Sequence, residues 1–220
     1  MKLEKILSWL DKTLKVADFD DVSNNGLQVD RSADDVRTVA FAVDASVRAV
    51  EAAAKAGAQL LVVHHGISWG GGIKRLTGGV GNVVRAALKA NLALAAYHLP
   101  LDAHPTLGNN AQLAKYFGLK KVRPAFSYHG NVIGVIGTNR HGKLIGICSG
   151  GAGEFAEEAK RLGCDLYVTG EASWGDIIAA ENCGMEMICA GHYETEVFGV
   201  RALAQAMKKA LKLRTVDLTK

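Results

Sequence analysis

Long apolar runs are missing from this chain of 220 residues: no uninterrupted stretch approaches the ~20 residues that a bilayer-spanning helix needs. The first residues, Met1-Lys2-Leu3-Glu4-Lys5-Ile6-Leu7, alternate charge with apolar side chains at helical spacing, unlike a targeting signal, so a cytoplasmic protein is expected. C-x-x-C spacing is also missing. Cys148, Cys164, Cys183 and Cys189 sit in or beside apolar segments and read as reduced thiols, neither disulfides nor a zinc knuckle. The net charge of +4 is mild, and lysine and arginine are scattered, without a basic run or interleaved aromatics, so nucleic acid is not an expected partner. There is no Walker-type phosphate loop, and Gly70-Gly71-Gly72 is at most a flexible lip. Aromatic residues make up only 6%, but a hydrophobic fraction of 49% is ample for a packed core in one large or two small domains.

What the chain does contain is organised around Leu60-Leu61-Val62-Val63-His64-His65-Gly66. Four consecutive apolar residues between glycines read as a strand buried on both faces, as in a parallel sheet. Ligands of such sheets lie beyond the carboxyl ends of the strands, where His64 and His65 fall. Neutral imidazole is the commonest metal ligand. The competing reading is that one histidine caps the strand and the other faces water.

Taken in order, Leu3, Ile6, Leu7, Leu10 and Leu14 predict an amphipathic helix over Leu3 to Val16. Asn25-Gly26 is turn chemistry before a short strand, and Thr38 to Asp44 is a second strand. Ser46 can cap a helix that runs to Lys55 and ends at Gly57. After the histidine strand come a helix over Asn82 to Ala90, a strand over Leu92 to Tyr97 and a helix over Asn109 to Phe117. This alternation is α/β with mostly parallel strands. Lys120 to Tyr128, basic and containing Pro124, reads as a break. Beyond it, Asn131 to Gly137 and Lys143 to Cys148 form a hairpin. Helices follow at Glu154 to Leu162, Gly175 to Glu181 and Glu194 to Leu211, with strands at Asp165 to Val168 and Met185 to Ala190 between them.

The second series repeats the first. Val50 to Val63 lies over Ala156 to Thr169 with identities at glutamate, alanine, glycine, leucine and valine, which sets Gly170-Glu171 where His64-His65 stand and His192 where His98 stands. Two repeats are therefore expected, residues 1–125, completed by the C-terminal segment, and residues 126–220. Their strand ends would face one shared cleft.

Two further segments carry chemistry. Tyr97-His98-Leu99-Pro100-Leu101-Asp102-Ala103-His104-Pro105 offers an aspartate whose two oxygens can serve two cations, although Asp102 in a polar loop could equally cap the following helix. In Gly191-His192-Tyr193-Glu194-Thr195-Glu196 the i,i+4 spacing brings His192 and Glu196 to one helix face as a metal half-site, whereas acids at a helix start also favour the dipole, a reading that suits Glu194 better than Glu196. His64, His65, Asp102, His192 and Glu196 make a nitrogen and oxygen set suited to zinc, iron, manganese or a similar divalent ion.

These motifs, with Asn25-Gly26-Leu27-Gln28-Val29, Gly108-Asn109-Asn110 and Thr169-Gly170-Glu171, closely resemble the NIF-three-like, or YbgI-type, family of GTP cyclohydrolase type 2 homologues over nearly the whole chain. The resemblance implies two intertwined, similar α/β repeats with a dinuclear metal cleft between them and a toroidal homohexamer. It also implies His64, His65, Asp102, His192 and Glu196 as ligands of two divalent ions, with Asp102 bridging. Longer members carry an insertion between the repeats that this chain lacks.

The expected function is a metal-dependent hydrolase for a small, purine-nucleotide-like substrate, in the cyclohydrolase version opening the imidazole ring of a guanine nucleotide at C8. Glu171, His98 and His104 are expected to move protons or orient ligand histidines. The alternative is a metal-binding scaffold or regulatory protein without catalysis.

Overall fold

A computed structural model describes residues 1–219. The chain forms two compact units, Met1–Leu101 with Val200–Lys220, and Asp102–Gly199.

The first unit opens with helix α1 (Leu3–Leu14), whose Leu3, Ile6, Leu10 and Leu14 are buried at the three- and four-residue spacing read from the sequence. Strands β1 (Gly26–Val29) and β2 (Thr38–Asp44) follow, then helix α2 (Val47–Lys55). The Ser46 hydroxyl caps α2 by accepting from the Ala49 N–H at 3.1 Å. Strand β3 (Leu60–His65), helix α3 (Gly78–Lys89) and strand β4 (Ala93–Ala96) complete the α/β series, and β10 (Arg214–Asp217) returns from the far end of the chain. The sheet order is β1-β4-β3-β2-β10, parallel except for the antiparallel edge strand β1. The histidine strand β3 is thus central and paired on both sides. Ala40, Ala42, Leu61, Val63, Leu94 and Ala96 pack into one cluster with α2 and α3, and the intervening Val39, Phe41, Val43, Leu60, Val62 and Ala95 are buried as well. Burial on both faces explains why the strand reads as an unbroken apolar run.

In the second unit, α5 (Asn109–Tyr116) precedes β5 (Lys120–Tyr128), β6 (Asn131–Thr138) and β7 (Leu144–Gly151). Then come α6 (Ala156–Arg161), β8 (Leu166–Glu171), α7 (Trp174–Cys183) and β9 (Met187–Cys189). The short helix α4 (Leu99–Asp102) and the long helix α8 (His192–Leu211) carry the chain between the units. The sheet order is β5-β6-β7-β8-β9, antiparallel through β7 and parallel beyond it. Leu113 and Ala114 of α5 pack on Ile145 and Ile147 of β7 and Val168 of β8, while Phe126, Phe155 and Tyr167 form an aromatic cluster with ring centroids 5.6 and 5.3 Å from Phe126.

The structure corrects several local readings. Lys120 to Tyr128 is not a break but a nine-residue edge strand. Lysines and a proline are what keep an exposed edge from pairing with another chain, and they disguise it as a loop in sequence. Helix α3 begins at Gly78, ahead of the expected Asn82, because Gly79 and Gly81 are accepted into its first turn. Strand β7 runs to Gly151, past the expected end at Cys148, and α8 begins at His192, ahead of Glu194. Both extensions bear on the site.

Candidate metal centre

In the first unit, His64 and His65 end β3, and His98 follows β4, the strand beside it. The three imidazoles converge, with ring centroids 4.6 Å apart for His64 and His65, 5.1 Å for His64 and His98, and 5.7 Å for His65 and His98. One nitrogen from each lies within 4.8 Å of the others, so the group can hold a metal ion. Each ring is oriented by a partner that can only accept a proton. His64 Nδ1 meets the Tyr97 carbonyl at 3.0 Å, His65 Nδ1 meets Asp44 Oδ1 at 2.9 Å, and His98 Nδ1 meets Asp21 Oδ1 at 2.9 Å. A carbonyl or carboxylate opposite Nδ1 places the proton there in the neutral ring and leaves the lone pair on Nε2. Three histidines fixed in the same tautomer are the arrangement that metal-ligating histidines require.

Asp21 does more than touch His98. Its carboxylate also accepts from the Leu99 N–H at 2.9 Å, the Ser23 N–H at 3.0 Å and the Asn25 side chain at 2.8 Å, while Asn25 Oδ1 accepts from the His98 N–H at 2.8 Å. Burial alone would raise its pKa, but His98, the Ser23 N–H and the Asn25 side chain hold it below the usual carboxylate value. The Gln28 side chain accepts from the Ile67 and Ser68 N–H groups and fixes the loop after His65. The Asn25-Gly26-Leu27-Gln28 motif therefore fastens the two histidine-bearing strand ends.

In the second unit, His192 and Glu196 share the first turns of α8, with Nε2 3.2 Å from Glu196 Oε1 and Nδ1 3.0 Å from Glu171 Oε1. Glu171, the last residue of β8, thus orients His192 as Asp21 orients His98. Both ring nitrogens of His192 face carboxylate oxygens, so a cation belongs between Nε2 and Glu196 Oε1, either the second proton of a charged ring or a metal ion. Two ligands bound at about 2.1 Å in a tetrahedral site sit about 3.4 Å apart, close to the distance seen here. Asp102 accepts on Oδ1 from the Asn109 side chain at 2.8 Å and from the Ser149 hydroxyl at 3.2 Å.

The end of β7 links these groups. Ser149 holds Asp102, and the Gly150 N–H donates to Thr195 Oγ1 at 3.1 Å. Gly150 has φ +68, and a Cβ there would fall 2.5 Å from Glu196 Oε1, so the close approach requires glycine. Sequence reasoning missed Asp21, Asp44, Ser149, Gly150 and Thr195. Their only signal was a place near a strand end or helix start.

His104 differs from the other histidines. Its Nδ1 accepts from the Thr106 and Leu107 N–H groups at 3.2 and 3.0 Å, which puts the proton of the neutral ring on Nε2. It lines a cleft of about 300 Å³ together with Asp102, Pro105 and residues of β5 and β6. This tautomer makes His104 a hydrogen-bond donor and no metal ligand. Among the described residues no helix is long and apolar enough to cross a membrane.

Comparison with known proteins agrees with the fold and with the family resemblance. A Pyrococcus horikoshii protein named GTP cyclohydrolase 1 type 2 homolog is 38% identical over 98% of this chain and 97% of its own. A Deinococcus radiodurans protein of the same name is 40% identical over 91% of this chain and 86% of its own. The solved structure of TTHA1606 from Thermus thermophilus superposes with a TM-score of 0.86 at 29% identity over 99% of this chain and 98% of that one. The profile of Duf34/NIF3 (NGG1p interacting factor 3) matches residues 1–143 and 127–219, and the chain belongs to that family.

Proposed function

We propose that the chain is a dinuclear metal-dependent hydrolase for a small substrate of the purine-nucleotide class. Its ligands are His64, His65, Asp102, His192 and Glu196, with Asp102 bridging two divalent ions of zinc, iron, manganese or a similar metal, and His98 stands beside them as a further nitrogen donor. The observation that carries this reading is the common tautomer of His64, His65 and His98, each held at Nδ1 by an acceptor. The donors are nitrogen and oxygen throughout, which suits these metals, and the relatives' name, GTP cyclohydrolase 1 type 2 homolog, points to a nucleotide.

Two divalent ions, once bound, supply Lewis acidity and lower the pKa of water at neutral pH. The chain's own residues then have separable tasks. Asp21, Asp44 and the Tyr97 carbonyl hold the protons on His98, His65 and His64, and Glu171 does so for His192. His104, protonated on Nε2, can donate to an oxygen of the substrate. Five protein ligands and the further nitrogen of His98, shared between two ions, still leave positions for water and substrate, which favours catalysis over a purely structural scaffold.

The reading extends to a closed ring of six subunits whose metal clefts face an internal cavity, restricting access to small molecules. Metal analysis of the purified chain, followed by activity screening against nucleotides, cyclic nucleotides and phosphoesters with each metal restored, tests the function. Two ions per chain and turnover of a nucleotide are expected. A fully metallated chain inert to every small substrate would move the reading to the scaffold. Light scattering at low micromolar protein tests the ring, and a mass near one subunit would remove it.

A further inference from the structure

We propose that Trp69 is the stacking surface for the substrate's planar heteroaromatic ring, which makes the substrate of the metal centre an aromatic, anion-bearing molecule. This rests on the hydrolase reading above and names the part of the site that would select the substrate.

Trp69 lies in the loop that leaves β3 directly after the metal-competent histidines. Its ring centroid is 5.1 Å from that of His98, edge to face at 77°, and 6.1 Å from that of His65. The side chain is nevertheless 38% exposed, so a large apolar ring at the centre's border is left facing water. It is also pinned. The indole N–H donates to the Gly66 carbonyl at 3.0 Å, the Gly70 N–H donates to the Val22 carbonyl at 2.7 Å, the Asn24 N–H donates to the Ser68 carbonyl at 3.1 Å, and residues 23 and 69 form an isolated antiparallel bridge. With its single polar atom bound back to the loop, the ring can offer a ligand only its π-face and edges.

The composition of the loop that carries it narrows the ligand. From Gly66 to Val84 the only charged side chains are Lys74 and Arg75, both cationic and exposed. A neutral indole followed by two cations suits a base bearing phosphate, because every nucleobase has a π-face and phosphate seeks positive charge. The indole's place against His98 and His65 would hold the stacked ring beside the atoms that perform the chemistry.

The test is isothermal titration of the full, metal-reconstituted chain with GMP and with ribose 5-phosphate, which keeps the phosphate and lacks the base. GMP is expected to bind the wild type about tenfold more tightly than ribose 5-phosphate. Trp69→Ala should remove most of that preference and Trp69→Phe should keep most of it. Metal content is measured on the same samples. An unchanged preference in a fully metallated W69A variant, or no preference in the wild type, overturns the stacking role and leaves the metal reading standing. A wild-type chain that takes up no metal defeats the metal reading and the stacking role with it. Should W69A fold poorly, the W9F/W174F variant makes Trp69 the only indole. GMP should then quench its fluorescence where ribose 5-phosphate does not, and equal responses to the two would overturn the proposal.

Discussion

The two units present the same chemistry in opposite ways. In the first, three imidazoles that could hold a metal ion converge, and acceptors at Nδ1 hold each of them: Asp21, Asp44 and a backbone carbonyl. In the second, carboxylates predominate, and donors hold Asp102: the Asn109 amide and the Ser149 hydroxyl. A neutral ligand needs its tautomer fixed, whereas an anionic ligand needs its spare lone pairs satisfied. His192 is the exception that links the two styles, an imidazole fixed by Glu171 within the carboxylate half.

If this contrast is right, removing a carboxylate should cost the most. Asp102→Ala is expected to lose about half or more of the bound metal, because a bridging carboxylate serves both ions. Glu194→Ala, which removes an exposed acid two residues from both His192 and Glu196 and on another face of the helix, should lose none. Equal retention in the two variants, measured by elemental analysis, would break the assignment.

The orienting acceptors should follow. Asp21→Asn is expected to weaken metal affinity about 10- to 100-fold, since an amide can face the His98 N–H with the wrong group. Asp44→Asn should do less, because its side chain is 54% exposed against 2% for Asp21 and water can replace it. Competition with a chromophoric chelator reads both. A larger effect at Asp44 would overturn the ranking.

Gly150 sharpens the second half. Gly150→Ala is expected to cost about 1–3 kcal/mol in thermal unfolding and to lower metal content, since the new methyl would collide with Glu196 at a positive φ. Gly57→Ala, also at positive φ but with nothing within 4 Å, should cost about 1 kcal/mol and leave the metal untouched. A metal content equally unaffected in both would show that the β7 end does not shape the site.

The smallest effect concerns only the support of that half. Burial pushes the Tyr167 phenol well above its ordinary value, and the hydroxyl donates to the Ala152 carbonyl at 2.6 Å. A raised pKa in the folded state means that the stabilisation is full below about pH 10, the value of the unfolded phenol, and is lost as pH rises beyond it. Tyr167→Phe should therefore melt about 1 kcal/mol less stably at pH 7 and lose less on going to pH 11 than the parent does. Parallel alkaline slopes would contradict this.

Much of this was legible in the sequence because it is local. His64 and His65 announced themselves by ending an apolar run, and His192 and Glu196 by helical spacing. Ser46 announced itself as a cap. The edge strand β5 was hidden, since the features that protect an edge are those that mark a loop. Asp21 was hidden for a different reason. It acts on His98 from 77 residues away, and Ser149 reaches Asp102 across 47, so neither has a pattern of its own until the fold brings it there. His98 and His104 were both expected to move protons or to orient ligand histidines, and the backbone donors at the Nδ1 of His104 are what separate the two.

The most direct test of the central claim is anomalous diffraction from crystals of the zinc- or iron-loaded chain, recorded on either side of the metal edge. Two peaks per chain are expected, roughly 3.5–4 Å apart, with Asp102 between them, His64, His65, His192 and Glu196 as further protein ligands and His98 as an additional nitrogen donor. A single peak held by His64, His65 and His98 alone, with Asp102, His192 and Glu196 away from any metal, would contradict it.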